Sequence, residues 1–291
     1  MTTIKRQDAP SVALLARAAT LTGNAPSLVS TRAWRCRVER DVLRLYAEPQ
    51  HRPVTLDPDR RAQTLSCGVA LHHAYTAVRA AGHDAAVRRL PDPAQPDLIA
   101  EVRVGGRCEP ERDVLRQYAV VARRAEAPVG QQSPSVRTLA ELQTVAERYG
   151  AHLLLLRDDQ RAALSAPDRT GTAAPATEPL GIPTDPRDVY ALLYGDSDDR
   201  HGWLRGGEAL SAVCLTAADD RLAAVPVGPP LGPSIATRTA LFTLVGVRYP
   251  YLVLRLTEGT QAGPSSPVRR RDADVVGSGT DTPRSRTRRT P

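Results

Sequence analysis

The sequence predicts an α+β protein laid out as two blocks of similar plan. Three observations carry this. Two short alternating segments, 34–38 and 42–46, read as a β-hairpin turning across Glu39-Arg40-Asp41. Two helical segments rich in small residues, 62–81 and 203–218, hold corresponding places in the two blocks. Each is followed by a closing strand, 98–104 in the first block and 251–256 in the second. No fixed-period repeat is visible, which argues against a solenoid.

In chain order, residues 9–22 read as a short amphipathic helix stopped by Gly23-Asn24. The hairpin follows, then a Pro- and Asp-rich loop over 50–59. The helix over 62–81 carries Ser66, Gly68, Ala70 and Ala74, small enough to let a neighbour approach closely. Strands over 87–90 and 98–104 flank the turn Pro91-Asp92-Pro93. The second block opens with helices over 110–125 and 135–149, the latter capped by Gly150. A short apolar strand, HLLLLR, covers 152–157, and a long irregular loop 165–188. In the helix over 203–218, Glu208 is expected to pair with Arg205, three residues before it. A helix over 233–245 and the closing strand complete the block. The division is therefore 8–106, 107–276 and a basic tail, 277–291, disordered by composition.

Hydrophobic residues make up 41% of the 291, so a sizeable core is available; aromatics are only 4%, so Leu, Val and Ala must build it. No stretch approaches the ~18 to 20 apolar residues of a membrane span. The N-terminal apolar run is broken by Arg17 and is a poor secretory leader, so the cytoplasm is the expected compartment. Cys36, Cys67, Cys108 and Cys214 show no CxxC spacing and are expected to be free thiols, with no zinc site and no disulfide framework. The net charge is +7, of which the tail from Arg269 holds +4, from seven Arg and three Asp. All but one of the 39 basic residues are Arg, in a chain also rich in Ala and Pro. That pattern reads as codon usage, and nucleic acid is not expected as a partner; polyanion binding through Arg284, Arg286, Arg288 and Arg289 ranks last among the readings.

The chain lacks GxGxxG after a strand, the P-loop pattern, HExxH and GxSxG, which removes the simplest Rossmann, P-loop, zincin and hydrolase readings. His72 and His73 are adjacent on a helix and diverge by about 100°, so they cannot easily share one metal. One is expected to be inward and hydrogen-bonded, the other at an edge.

Three segments are informative. Ala25-Pro26-Ser27-Leu28-Val29-Ser30-Thr31-Arg32-Ala33-Trp34-Arg35 runs directly into a strand. Tyr118 to Arg124 ends a helix with two Arg. The strand from Tyr251 to Arg255 is followed by Pro267-Val268-Arg269-Arg270-Arg271 and, shortly after, Asp274-Val275-Val276. With Ser66-Cys67-Gly68-Val69-Ala70-Leu71, Leu90-Pro91-Asp92-Pro93 and Trp203-Leu204-Arg205-Gly206-Gly207-Glu208-Ala209-Leu210, their order and spacing resemble the Acg-type branch of the nitroreductase superfamily. The resemblance runs from about residue 10 to 276.

It implies a mainly antiparallel central sheet wrapped by helices, and two halves fused into an internal pseudo-dimer, so that the chain is a monomer with one FMN site. FMN and NAD(P)H are the implied cofactor and co-substrate, with a nitroaromatic or quinone-like acceptor as the small-molecule partner. Pro26, Ser27, Ser30 and Arg32 would border the ring. Forked guanidinium groups suit the phosphate, and Arg123, Arg124, Arg269 and Arg270 are the candidates. By the same resemblance the loop 225–228 lies near flavin N5, with the Gly228 backbone N–H as a donor. No side chain is assigned as catalytic, since the redox chemistry belongs to the cofactor.

The pattern also departs from the family. Its Asn-Thr-Gln-Pro-Trp is Ser30-Thr31-Arg32-Ala33-Trp34 here, and Arg123-Arg124 is followed by Ala125-Glu126-Ala127 rather than by another Arg. Pro229 has no N–H to offer. An alternative reading is therefore a degenerate, non-catalytic flavin binder. Trp34 reads as a core anchor, and Arg255 either as a phosphate neighbour or as a strand-end residue.

Overall fold

A computed structural model describes residues 8–29, 32–48, 57–123, 134–165, 188–227 and 235–258. The first half contains α1 (Asp8–Leu21), a 3-10 turn (Thr22–Asn24), β1 (Trp34–Glu39), β2 (Val42–Ala47), α2 (Arg61–Ala80), β3 (His83–Arg89) and β4 (Leu98–Arg107). Then come α3 (Arg112–Arg123), α4 (Val136–Arg148), β5 (His152–Leu155), α5 (Asp158–Ser165), β6 (Val189–Tyr194), α6 (Arg200–Asp219), β7 (Leu222–Val227), α7 (Ile235–Val245) and β8 (Pro250–Glu258). Among the described residues, no helix is long and apolar enough to cross a membrane.

The α+β class holds, but the strands do not form one central sheet. They form two four-stranded antiparallel sheets, ordered β1-β2-β4-β3 and β5-β6-β8-β7. The two orders are the same, and in each half a 20-residue helix joins the second strand to the third. The β1–β2 hairpin pairs Glu39 with Val42, and Arg40 turns the chain with a φ of 55°. Alternation sends Trp34, Cys36, Leu43 and Leu45 into the core, while Arg37 is exposed.

The two halves meet where α2 crosses α6. A Cβ on Gly68 would lie 2.2 Å from the Leu204 carbonyl oxygen, and one on Gly207 would lie 2.0 Å from that of Leu65. Only glycine permits so close a backbone approach. The contacts are reciprocal. Leu204 of α6 packs in the first-half core, and Leu65 and Val69 of α2 pack in the second-half core. Arg61 donates to the Pro250 carbonyl at the start of β8, and Arg200 donates to the Pro96 carbonyl before β4. His72 and Ser211, 139 positions apart, hydrogen-bond across the seam at 2.9 Å. The same shift relates Leu65 to Leu204, Gly68 to Gly207 and Arg61 to Arg200. Full burial of each leucine contributes roughly 2 kcal/mol.

Several expectations need correcting. Residues 225–227 are not loop but the end of β7, an edge strand. The helix α5 and the strand β6 flank the segment read as one long loop; 166–187 itself, like most of 50–59 and the tail 277–291, lies outside the described residues. β3 begins at His83, four residues before the expected start. Gly150 does close α4, with a φ of 72° and its N–H on the Glu147 carbonyl.

Candidate functional site

The bend after α1 lies at the junction of the two cores. Ala25 and Leu28 pack against the second-half cluster, and Ala25 and Val29 against the first. Ser66 on α2 pins the bend by accepting the Leu28 N–H at 3.0 Å while its hydroxyl donates to the Ala62 carbonyl. Within the bend, the Ser27 hydroxyl accepts the Val29 N–H at 3.4 Å. Pro26 is exposed and Ser27 half-buried.

The end of α3 sits against the same place. Val120 and Val121 pack with Leu215 of α6, against Leu21 and Ala218. The Asn24 side-chain amide donates to the Val121 carbonyl at 3.1 Å. One hydrogen bond therefore joins the residue two before Pro26 to the residue two before Arg123. Arg17 adds a second tie between α1 and α3, donating to the Tyr118 hydroxyl.

The cations around the bend are uncompensated. Among the described residues, no carboxylate lies within ion-pair distance of Arg17, Arg32 or Arg123, although carboxylate partners hold Arg35, Arg44, Arg60 and Arg61. The Arg32 guanidinium lies over Gly23, with Nη2 3.4 Å from where a Cβ would be. Arg123 is exposed and donates its Nε to the Ala119 carbonyl of its own last turn. Unpaired guanidinium groups beside a half-buried Ser-Pro bend suit an anion carried on a flat body. The described residues thus fit the phosphate end of FMN in charge.

Of the nine residues singled out from sequence, Pro26, Ser27, Arg32 and Arg123 are described and lie around this junction. Ser30, Arg124, Gly228, Arg269 and Arg270 lie outside the described residues. The sequence marks Asn24 as a helix stop and carries no local sign that it holds α3. No sequence pattern singles out Arg17 or Tyr118.

Neighbouring residues settle differently from expectation. Glu208, 1% exposed, pairs not with Arg205 but with Arg89 of β3, which grips it with two bonds of 2.7 and 2.8 Å. The geometry is bidentate and crosses between the halves. Arg205 instead lies over Gly150. Arg255 is a strand residue paired with Asp188 at 3.7 Å. Trp34 is a core residue, 3% exposed. Both histidines are buried, so neither is at an edge. Burial holds His72 down at about 3, with His73 as a lesser cause, and His73 down at about 4. Both are therefore neutral at pH 7.

The cysteines are free, and Cys36, Cys67 and Cys214 are not activated as nucleophiles. Burial pushes Cys36 up to about 11, raises Cys67 further and takes Cys214 to about 12. Among the described residues there is no cluster able to hold a metal ion.

No family model matches the chain. Two curated proteins, one from each of two Mycobacterium tuberculosis strains and each named "Putative NAD(P)H nitroreductase", are 28% identical to it over 307 aligned positions. The alignment covers 88% of this chain and 89% of each relative. A further protein of that species, "Putative NAD(P)H nitroreductase acg", is 28% identical over 144 positions, covering 49% of this chain and 44% of the relative. The α+β fold with antiparallel sheets is compatible with a nitroreductase-like architecture. The two relatives aligned over most of the chain support its assignment to the nitroreductase family.

Proposed function

We propose that the protein is an FMN-dependent oxidoreductase that passes electrons from NAD(P)H to a nitroaromatic or quinone-like acceptor. The observation that carries this reading is the Asn24–Val121 bond, which brings the Pro26–Ser27 bend to the arginine-bearing end of α3. The names of the relatives, aligned over most of the chain, support the same activity.

When bound, the flavin would supply acceptance of a hydride and its onward transfer. The protein's part is to bind, orient and exclude water. In this reading Arg32 and Arg123 neutralise the phosphate, and Ser27 offers its hydroxyl at the ring edge. Arg124, Arg269 and Arg270 are further phosphate candidates. Ser30 and the Gly228 N–H are candidates for the ring edge. A positive surround also favours an anionic reduced ring.

Residues 8–106 and 107–276 are read as two fused halves, the chain acting as a monomer with one flavin site. The reciprocal contacts of α2 and α6 support this. So does the length of the bend: twelve residues separate α1 from β1, whereas three separate α4 from β5, too few to rebuild the bend in the second half.

Steady-state oxidation of NADH and NADPH by the full chain with added FMN, using a nitroaromatic and a quinone, tests the activity. Turnover with either acceptor is expected. Bound flavin without turnover would leave only a flavin binder.

A further inference from the structure

A cavity of about 140 Å³ lies between α2, α3 and α4. It is lined by Tyr75, Val114, Gln117, Val145 and Tyr149 and equally by the charged Glu111, Asp113 and Arg148. None of Pro26, Ser27, Arg32 or Arg123 lines it, so it is separate from the junction described above.

Size and chemistry restrict what it can hold. An apolar cavity of about 150 Å³ accommodates a benzene ring, so this space suits one six-membered ring. Two tyrosine rings and two valines supply the apolar part of a lining that is otherwise polar. The charged groups already have counter-ions: Arg79 binds Glu111 at 2.9 Å, and Arg148 and Arg116 bind Asp113 at 3.1 and 3.2 Å. A charged ligand would gain no uncompensated partner.

Neutral hydrogen-bonding capacity is left over. The Tyr75 and Tyr149 hydroxyls make no hydrogen bond among the described residues, and Gln117, whose amide donates to Thr216 at 3.1 Å, keeps its carbonyl oxygen. Behind Tyr75 the same face of α2 carries His72, Thr76 and Arg79, at helical spacing. The buried Nε2 of His72, Oγ1 of Thr76 and Nε of Arg79 all lack a partner. These three residues do not line the cavity, so the neutral polar groups open to a ligand are the two tyrosine hydroxyls and the Gln117 carbonyl. His72 stands edge-on to the Tyr149 ring at 4.7 Å, which holds that ring in position.

We infer that this partly open cavity is a binding site for a neutral, hydroxyl-bearing single-ring aromatic, a simple phenol, held between Tyr75 and Tyr149 and hydrogen-bonded by their hydroxyls and by the Gln117 carbonyl.

The test is fluorine NMR titration of the full chain with para-fluorophenol, with fluorobenzene as comparison, each run with and without FMN. Saturable binding of para-fluorophenol is expected, roughly tenfold tighter than that of fluorobenzene and undisturbed by FMN. Val145→Phe, which fills the space, should abolish it. The double change Tyr75→Phe with Tyr149→Phe should reduce it to the fluorobenzene level. If Val145→Phe does not fold, the tyrosine pair decides. Absence of saturable binding overturns the assignment. So does equal binding of the two probes, displacement by FMN, or a signal that survives the substitutions.

Discussion

Asn24 and Val121, 97 positions apart, are joined by a 3.1 Å hydrogen bond from side chain to backbone. This amide ties the turn after α1 to the last turn of α3, beside the Arg17–Tyr118 bond, and the placement of the proposed flavin pocket rests in part on it. Asn24→Ala should cost about 1 kcal/mol of stability, read as a shift in the denaturation midpoint. It should also weaken FMN retention roughly tenfold, read by quenching of flavin fluorescence. Unchanged FMN affinity would mean that the bend and α3 need not be held together.

Gly68 and Gly207 give the α2–α6 seam its closeness. At either position an added methyl meets backbone rather than a flexible side chain, and backbone cannot step aside. Gly68→Ala and Gly207→Ala are each expected to destabilise the fold by about 3 kcal/mol or more. Gly106→Ala, with nothing within 4 Å of the new methyl, should change stability little. Urea unfolding of the three variants checks the contrast.

Glu208 is buried and depends on Arg89. Removing the arginine leaves an uncompensated carboxylate in the interior, so Arg89→Met should cost about 3–5 kcal/mol. Adding Glu208→Leu should recover most of that, because two desolvated charges are then replaced by apolar volume. A double-mutant cycle by chemical denaturation measures the coupling.

Acid should weaken the fold through His72 and His73. Their folded values, about 3 and about 4, lie below the ordinary histidine value near 6.5. The unfolded chain therefore takes up protons first. Stability is complete above about pH 6.5 and falls as pH drops toward the folded values. At pH 5 each histidine should cost about 2 kcal/mol relative to pH 7. The comparison is the denaturation midpoint at the two pH values, for the natural chain and for His72→Gln. Equal losses in both chains would remove His72 from the account.

Much of the frame was legible in the sequence because it is periodic. The β1–β2 hairpin alternates, and α2 and α6 carry their small residues at the crossing. What was missed has physical causes. The β7 sequence, LAAVPV, holds Pro226, which ordinarily argues against a strand; it is tolerated because β7 is an edge and the absent N–H need not reach a neighbour. The six residues of β6, VYALLY, form a short apolar run without alternation, and such a run does not reveal its type. Local spacing assigned Glu208 to Arg205, three residues away, but tertiary packing gave it to Arg89, 119 positions off. Within the candidate site, Pro26, Ser27, Arg32 and Arg123 could be selected from an ordered set of motifs. The Asn24 bond could not, since nothing local to Asn24 indicates a partner on α3.

The most direct measurement of the central claim is the visible absorption spectrum of the purified full chain, taken before and after incubation with FMN and removal of the excess. The account predicts a yellow protein that retains FMN in a one-to-one ratio and loses it when Arg32 and Arg123 are both changed to Ala. A protein that stays colourless, or a double variant that holds FMN as tightly as the natural chain, would contradict it.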